Sequence, residues 1–228
     1  RVVYDRTDAV ARSLRALGFK EGDQIPVFLA LVPEFIYILL AAEKIGASLL
    51  CRDNTLEENI EAVKKSRARV MIAQDYLPQN EMEKFLSDTS VEKVVLIDSC
   101  NSCDRDNMPD YVRKNLESKY PEHPAGGKNT LNWEEFLKEG ENYKGEVNAP
   151  VDINRPLFRA YTSGSTGPSK QVIHSAHTMI SVVAQMNFYA GSNEYRPTWM
   201  VTALPPCLVA VVGAMILVAL ASNKLLIM

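Results

Sequence analysis

The sequence predicts an α/β fold built from layered, largely parallel sheets flanked by helices. Three observations predict it. Short apolar runs alternate with amphipathic stretches through the first hundred residues. Gly or Pro punctuates many of the joins. Further on, an apolar strand-like run ends abruptly in "TSGSTGPSK", a sharp polar turn of the kind that sits at the end of a sheet strand.

The elements follow in order. Residues 5–17 place Ala9, Val10, Ser13, Leu14 and Leu17 on one face of a helix, and Gly18 suits its C-terminal cap. "GFKEGDQ" reads as a turn and "IPVFLAL" as a buried strand. Pro33 is tolerated in the first turn of the next helix, which runs through "EFIYILLAAEKI" to Gly46. "ASLLC" is a second short strand, and Thr55 with Glu58 forms a capping box for "LEENIEAVKKSR". "RVMIA" and "VEKVVLID" are the third and fourth strands, with a helix between them.

From residue 99 to 154 the pattern breaks into polar, turn-rich chain with one helical stretch at "NWEEFLKE". It reads as a surface excursion within one domain spanning 1–228. "RPLFRAYTS" resumes strand character. After the polar turn come a short apolar piece at Val172 and Ile173, a helix from about Ser175 to Ala190, a strand at "TWMVTALP", an apolar helix, and a last strand "KLLIM".

The 228 residues allow one large or two small domains on a prior of roughly 100–200 residues each. A formal charge of −3 offers no basic footprint for nucleic acid. Cysteines at 51, 100, 103 and 207 are too sparse for a disulfide scaffold and suit a reducing, cytoplasmic setting. Cys100 and Cys103 form a C-x-x-C, but a zinc site needs a second ligand pair at matching spacing, and none is present. The pair reads as two loop cysteines, and no metal-ligating residue is assigned. The start at Arg1, without a signal-peptide pattern, reads as trimmed.

Charge is unevenly spread. Between Gln171 and Met228 only Glu194, Arg196 and Lys224 are charged, so this stretch has little surface of its own. Residues 202–221 are free of charge and long enough to be weighed as a membrane span. Pro205 and Pro206 shorten the helical part, and no basic cluster sets an orientation. A core helix covered by further protein is the favoured reading, without stable membrane insertion.

The turn from 162 to 170 carries the chemistry. Small residues leaving a strand present several backbone N–H groups in a concave nest that holds anions. Gly164 and Gly167 let the backbone curve and approach a phosphate closely. The hydroxyls of Thr162, Ser163, Ser165 and Thr166 can donate to phosphate oxygens, and Lys170 brings a mobile positive charge. The spacing is neither that of a Walker A loop nor G-x-G-x-x-G. A plain Ser/Gly connector is the competing reading, weakened because the run starts straight out of an apolar strand.

"YTSGSTGPSK" also resembles the signature loop of the AMP-forming acyl-CoA synthetases, the superfamily that includes peptide-synthetase adenylation domains and beetle luciferase. Tyr161 through Gly167 match its usual [YF]-T-S-G-[ST]-T-G-x-P-K-G form, and Lys170 occupies the motif lysine. Pro168, Ser169 and Gln171 depart from it. The stretch "ARSLRALGFKEGDQIPVFLALVPEFIYILLAAEKIGASLL" is similar to the family's opening segment, and "ALPPCLVAVVGAMILVALASNKLLI" to its later blocks. Where many members carry an aromatic–His pair near the acyl pocket, Cys207 and Leu208 stand here.

The resemblance implies the N-terminal part of an acetyl-CoA synthetase-like fold, roughly the first half of such an enzyme. It implies an acid–thiol ligase that forms an acyl-adenylate and then an acyl-CoA thioester. ATP, Mg2+ and coenzyme A would be its small-molecule partners beside a carboxylic acid. In that reading Thr162, Ser163, Gly164, Ser165, Thr166, Gly167 and Lys170 bind the nucleotide, with Lys170 and Thr166 catalytic. An adenylation enzyme that hands its product to a carrier protein, or a silent nucleotide-binding module, are the alternatives.

Other residues read as structural. His174 and His177 flank a helix start without a nucleophile or metal partner evident in sequence. Asp5, Asp8, Glu57, Glu58 and Glu61 suit solvated helix faces and caps, and Trp199 suits a core strand. Arg155 and Arg159 lie near enough to the loop in sequence to be noted, without an assigned role.

Overall fold

A computed structural model describes residues 1–52, 55–104, 107–119, 128–162, 169–189, 199–201, 204–222 and 225–227. Seven strands form one sheet in the order β5-β4-β3-β1-β2-β6-β7. They are β1 (Gln24–Phe28), β2 (Ser48–Cys51), β3 (Val70–Gln74), β4 (Lys93–Ile97), β5 (Thr130–Asn132), β6 (Pro156–Tyr161) and β7 (Gln171–Ser175). Every pairing is parallel except β6 with β7. The helices are α1 (Val2–Ala16), α2 (Pro33–Ile45), α3 (Leu56–Ser66), α4 (Gln79–Asp88), α5 (Asp110–Lys119), α6 (Trp133–Glu141), α7 (Ala176–Tyr189) and α8 (Leu217–Ala221). A π-helical segment, Val211–Ile216, runs into α8. Strands β8 (Trp199–Val201) and β9 (Leu225–Ile227) make a separate parallel pair.

Successive side chains of a strand point to opposite faces, and here each face has its own core. Val70 and Ile72 of β3, with Val95 and Ile97 of β4, pack into one cluster with Val10, Leu14, Phe35, Leu39 and Phe136. The intervening Met71 and Ala73, with Val94 and Leu96, pack into a second cluster with Ile60, Val63, Met82 and Phe85. Helices α1, α2 and α6 therefore cover one face, and α3 and α4 cover the other. A parallel strand covered on both sides reads as a continuous apolar run, which is why "RVMIA" and "VVLI" show no alternation. Each fully buried Phe contributes about 1.5–3 kcal/mol of transfer free energy, and Phe35, Phe85, Phe136 and Phe158 are four such anchors.

The helix ends follow their local chemistry. Pro33 sits in the first turn of α2, and Gly46 closes it at φ 76°, a conformation that favours glycine. Thr55 caps α3, its Oγ1 accepting from the Glu58 N–H at 3.4 Å. The Glu58 carboxylate turns instead to Arg52, so the expected capping box is half made. A complete box occurs on α6, where Asn132 and Glu135 bond reciprocally.

The 99–154 segment differs from the expected surface excursion. It supplies β5, an edge strand of the main sheet, and α6, whose Trp133 and Phe136 are buried against the first core. Three-residue β5 is too short to carry an alternation, and α5 lies on a polar stretch with little apolar content. Val172 and Ile173 belong to β7, which returns antiparallel to β6.

The apolar stretch near the end behaves as a partly buried helix. Val211, Val212 and Ile216 join the first core, while Leu208, Val209 and Leu220 are exposed. Among the described residues no helix is long and apolar enough to cross a membrane. The expected packing of Trp199 falls on a side chain outside the described set.

Candidate functional site

The strand order dictates where a crevice must open. After β1 the chain crosses to β2 on one side, and after β3 it proceeds to β4 on the other. The connections part above the carboxyl ends of β1 and β3, the place where open parallel sheets bind ligands. A cavity of about 360 Å³ lies there. Phe28 at the end of β1, Leu31 and Arg52 following β1 and β2, Tyr76 following β3, and Pro206 and Cys207 from the later segment are among its walls.

Buried polar contacts hold the rim. Gln74 accepts from the Ala30 N–H at 2.8 Å and donates through Nε2 to Ser99 Oγ at 3.1 Å. Ser99 Oγ donates to Asp75 Oδ1 at 2.7 Å, which joins the ends of β1, β3 and β4. Glu34, buried in the first turn of α2, accepts from Asn101 Nδ2 at 2.6 Å and from Ser102 Oγ. A carboxylate at a helix N-terminus is favoured by the helix dipole, which helps explain how Glu34 stays buried.

The polar turn leaves the same edge of the sheet, because β6 runs parallel to β2. Its base is closed. The Thr162 N–H donates to the Lys170 carbonyl at 2.9 Å, and the Lys170 N–H donates to Thr162 Oγ1 at 3.0 Å. Ser169 Oγ donates to the Thr162 carbonyl at 2.6 Å. The turn is thus the tip of the β6–β7 hairpin, with the Lys170 side chain exposed. Of the expected nucleotide-binding residues, Thr162 and Lys170 are placed in this way. Ser163, Gly164, Ser165, Thr166 and Gly167 lie outside the described residues.

Arg52 joins the turn to the cavity. Its guanidinium lies 4.2 Å from the centre of the Tyr161 ring, the residue that opens the motif. Its Nη2 pairs with Glu58 at 2.9 Å, and its side chain is only 8% exposed. Sequence reasoning missed this residue. The signal was a cation placed immediately after the apolar run "ASLLC", at the carboxyl end of a parallel strand.

Nearby residues clarify other expectations. Arg159 Nε donates to Ser48 Oγ at 2.9 Å, and burial draws its pKa down. Gln171, which replaces the motif glycine, accepts from Arg159 Nη1 at 3.2 Å and donates to the Tyr161 hydroxyl at 2.9 Å. Arg155 is remote from the turn, packed beside Gly46 where α2 ends. His174 is half-buried on β7, with its pKa lowered by burial, and His177 is exposed at the start of α7.

None of the four cysteines is in a disulfide; Cys100 is buried and Cys103 exposed. Burial pushes the Cys51 thiol well up, and Cys207 adds to the effect.

A family model for the AMP-binding enzymes matches residues 1–228. The chain belongs to the AMP-binding enzyme family.

Among relatives of this family member is the 3-hydroxypropionyl-coenzyme A synthetase of Metallosphaera sedula, 28% identical over 178 residues. That match covers 77% of this chain and 25% of the relative. The acetyl-coenzyme A synthetase of Campylobacter jejuni is 28% identical over 212 residues, covering 87% of this chain and 29% of that protein. The chain therefore spans between a quarter and a third of the length of these two relatives. Among solved structures, the acetoacetyl-CoA synthetase of Streptomyces lividans superposes with a TM-score of 0.73 at 16% identity, covering 99% of this chain and 32% of that one. The fold is thus that of the AMP-binding enzymes, with its parallel sheet and flanking helices.

Proposed function

We propose that this chain is the N-terminal nucleotide-binding domain, residues 1–228, of an ATP-dependent carboxylic acid–CoA ligase that forms AMP. One observation carries the reading: a segment of phosphate-binding composition, closed at its base by Thr162 and Lys170, follows β6, whose Tyr161 ring lies against Arg52, a wall of the switch-point cavity. The names of the two relatives, both coenzyme A synthetases, support the acceptor.

In this reading a carboxylate attacks the α-phosphorus of ATP, giving an acyl-adenylate and pyrophosphate. The thiol of coenzyme A then attacks the acyl carbon and AMP leaves. Pyrophosphate departs with growing negative charge, so donors already in place lower the barrier without reorganising. Thr162 supplies a hydroxyl donor, its amide being bonded to the Lys170 carbonyl; Ser163, Ser165 and Thr166 supply hydroxyl and amide donors, Gly164 and Gly167 the curvature, and Lys170 the charge.

The cavity beside Cys207 would hold the acid. Among the described residues no group of three or more carboxylate, imidazole or thiol side chains converges to hold a metal. Mg2+ is therefore proposed only as a counter-ion carried in by the phosphates, and no step is routed through it. Cysteines outside any disulfide suit a reducing cytoplasm.

The test is Lys170→Ala combined with Thr166→Ala in the intact protein. Acid-dependent pyrophosphate exchange falls by about two to three orders of magnitude or more, while the melting temperature moves little because Lys170 is exposed. Undiminished exchange removes the turn from the mechanism. Exchange that survives without any coenzyme A-dependent thioester product favours transfer to a carrier protein.

A further inference from the structure

The C-x-x-C pair has no part in the proposed reaction, yet the fold gives it a defined shape. The chain leaves β4 at Ile97 and folds into two successive turns. The Asn101 N–H donates to the Asp98 carbonyl, and the Cys103 N–H to the Cys100 carbonyl, both at 3.0 Å. A turn closed by such a bond holds its first and fourth Cα atoms within about 7 Å. A disulfide spans about 4.4–6.8 Å between the same atoms. The backbone therefore brings Cys100 and Cys103 to bridging distance without any rearrangement of the fold.

The turn is also held from outside. The two residues between the cysteines, Asn101 and Ser102, both donate to Glu34 Oε1 in the first turn of α2. The Cys100 N–H donates to Asp98 Oδ1 at 2.7 Å. Ser99, one residue earlier, bonds the Asp75 carboxylate through its N–H at 3.2 Å and its Oγ at 2.7 Å. With the turn fixed in this way, most of the loop-closure entropy of a disulfide has already been lost on folding. The same Ser99 accepts from Gln74, so the pair stands next to the contacts that brace the cavity rim.

We infer that Cys100 and Cys103 form a reversible dithiol–disulfide site, oxidised by exchange with a small disulfide such as glutathione disulfide. Exposure divides the roles: Cys103 is exposed and meets the reagent, and Cys100 is buried beside it across the turn. The Cys103 thiolate attacks one sulfur of glutathione disulfide, and one glutathione leaves. Cys100, deprotonated, then attacks the Cys103 sulfur and the second glutathione leaves. The two protons lost by the cysteines end on the two glutathione thiols, so one protein disulfide forms as one glutathione disulfide is reduced. Disulfides inside cells are commonly transient and redox-sensing, and C-x-x-C spacing favours such exchange. The site does not depend on the acid-pocket reading.

The experiment equilibrates the intact protein, without substrates, in glutathione buffers of increasing oxidised fraction. Samples are quenched in acid, alkylated and mapped by peptide mass. A linked Cys100–Cys103 peptide, lighter than the dithiol by two hydrogens, accumulates as the buffer becomes oxidising and vanishes with dithiothreitol. It exceeds the Cys103–glutathione adduct by about tenfold or more, because the second exchange is intramolecular. Cys100→Ala reverses that ratio by trapping Cys103 as the adduct, with Cys100→Ser in its place if the alanine variant does not fold. A wild-type protein that stops at the adduct overturns the inference. So does one that pairs either cysteine with Cys51, Cys207 or a second chain, or keeps both thiols unchanged in the most oxidising buffer.

Discussion

Two buried arginines stand at opposite ends of β2. Arg52 follows its carboxyl end, and Arg155 packs beside Gly46 just before its amino end. Both side chains are 8% exposed, and each is paired with a glutamate at 2.9 Å. Arg155 spends its donors on the fold: Nη2 also donates to the Pro150 carbonyl at 2.6 Å, which ties the approach to β6 onto the end of α2. Arg52 keeps Nε–H unpaired among the described residues and beside a cavity. Burial and ion pairing are the same at the two ends. What differs is the further hydrogen bond that Arg155 makes and the buried Nε–H that Arg52 leaves unpaired among the described residues.

The contrast can be broken most forcefully at the amino end. Arg155→Leu strands the Pro150 carbonyl and the Glu21 carboxylate, and is expected to cost about 2–3 kcal/mol. In thermal melts that is a loss of roughly 5–10 °C for a chain of this size. Acid selectivity in the folded protein stays unchanged. A melt within a degree or two of wild type would make Arg155 as dispensable to the fold as Arg52 is expected to be.

At the carboxyl end the same exchange should barely register in stability. Arg52→Leu loses the Glu58 pair and the contact with Tyr161 but also removes an unpaired buried donor, so the net change is expected to stay below about 1 kcal/mol. Urea denaturation of the two leucine variants side by side measures the difference directly. A loss at Arg52 equal to that at Arg155 would mean that both arginines are structural.

A third pair supplies the smallest effect and a sign. Lys44 Nζ bonds Asp8 Oδ1 at 2.6 Å, joining α1 to α2. That hydrogen bond draws the Asp8 pKa below its ordinary value, against partial burial, with the charges of Lys44 and Arg12 assisting. A carboxyl group depressed on folding contributes stability that is present above its unfolded pKa and lost as pH falls through the folded one. Asp8→Asn is therefore expected to cost less than about 1 kcal/mol at neutral pH. The gap to wild type should close below about pH 4. Urea midpoints for both proteins at pH 7 and pH 3 check it, and a gap that widens in acid reverses the sign.

Much of the body was legible because its signals are local. The apolar stripe of α1, the proline opening α2, Gly46 closing it, and the apolar runs of β3 and β4 are each set by a handful of adjacent residues. The polar turn was legible for the same reason, since its hydroxyls, glycines and lysine are contiguous. Strand β5 escaped because three residues cannot display a period, and its place comes from pairing with β4. Strand β7 escaped because an exposed "QVIHS" gains its partner only when the turn reverses the chain onto β6.

The sequence by itself determined the alternation of strand and helix, the helix ends, and the contiguous hydroxyls, glycines and lysine of the 162–170 stretch. Each depends on spacing along the chain, which is the same whether or not the protein is folded. Strand order was decided only in three dimensions, and with it the crevice between β1 and β3. So was the meeting of Arg52, which follows β2, with Tyr161 of β6 and the Cys207 segment around one cavity. Positions that are separated by more than a hundred residues meet only through sheet pairing and crossover, and no local pattern encodes which strand a given run will lie beside.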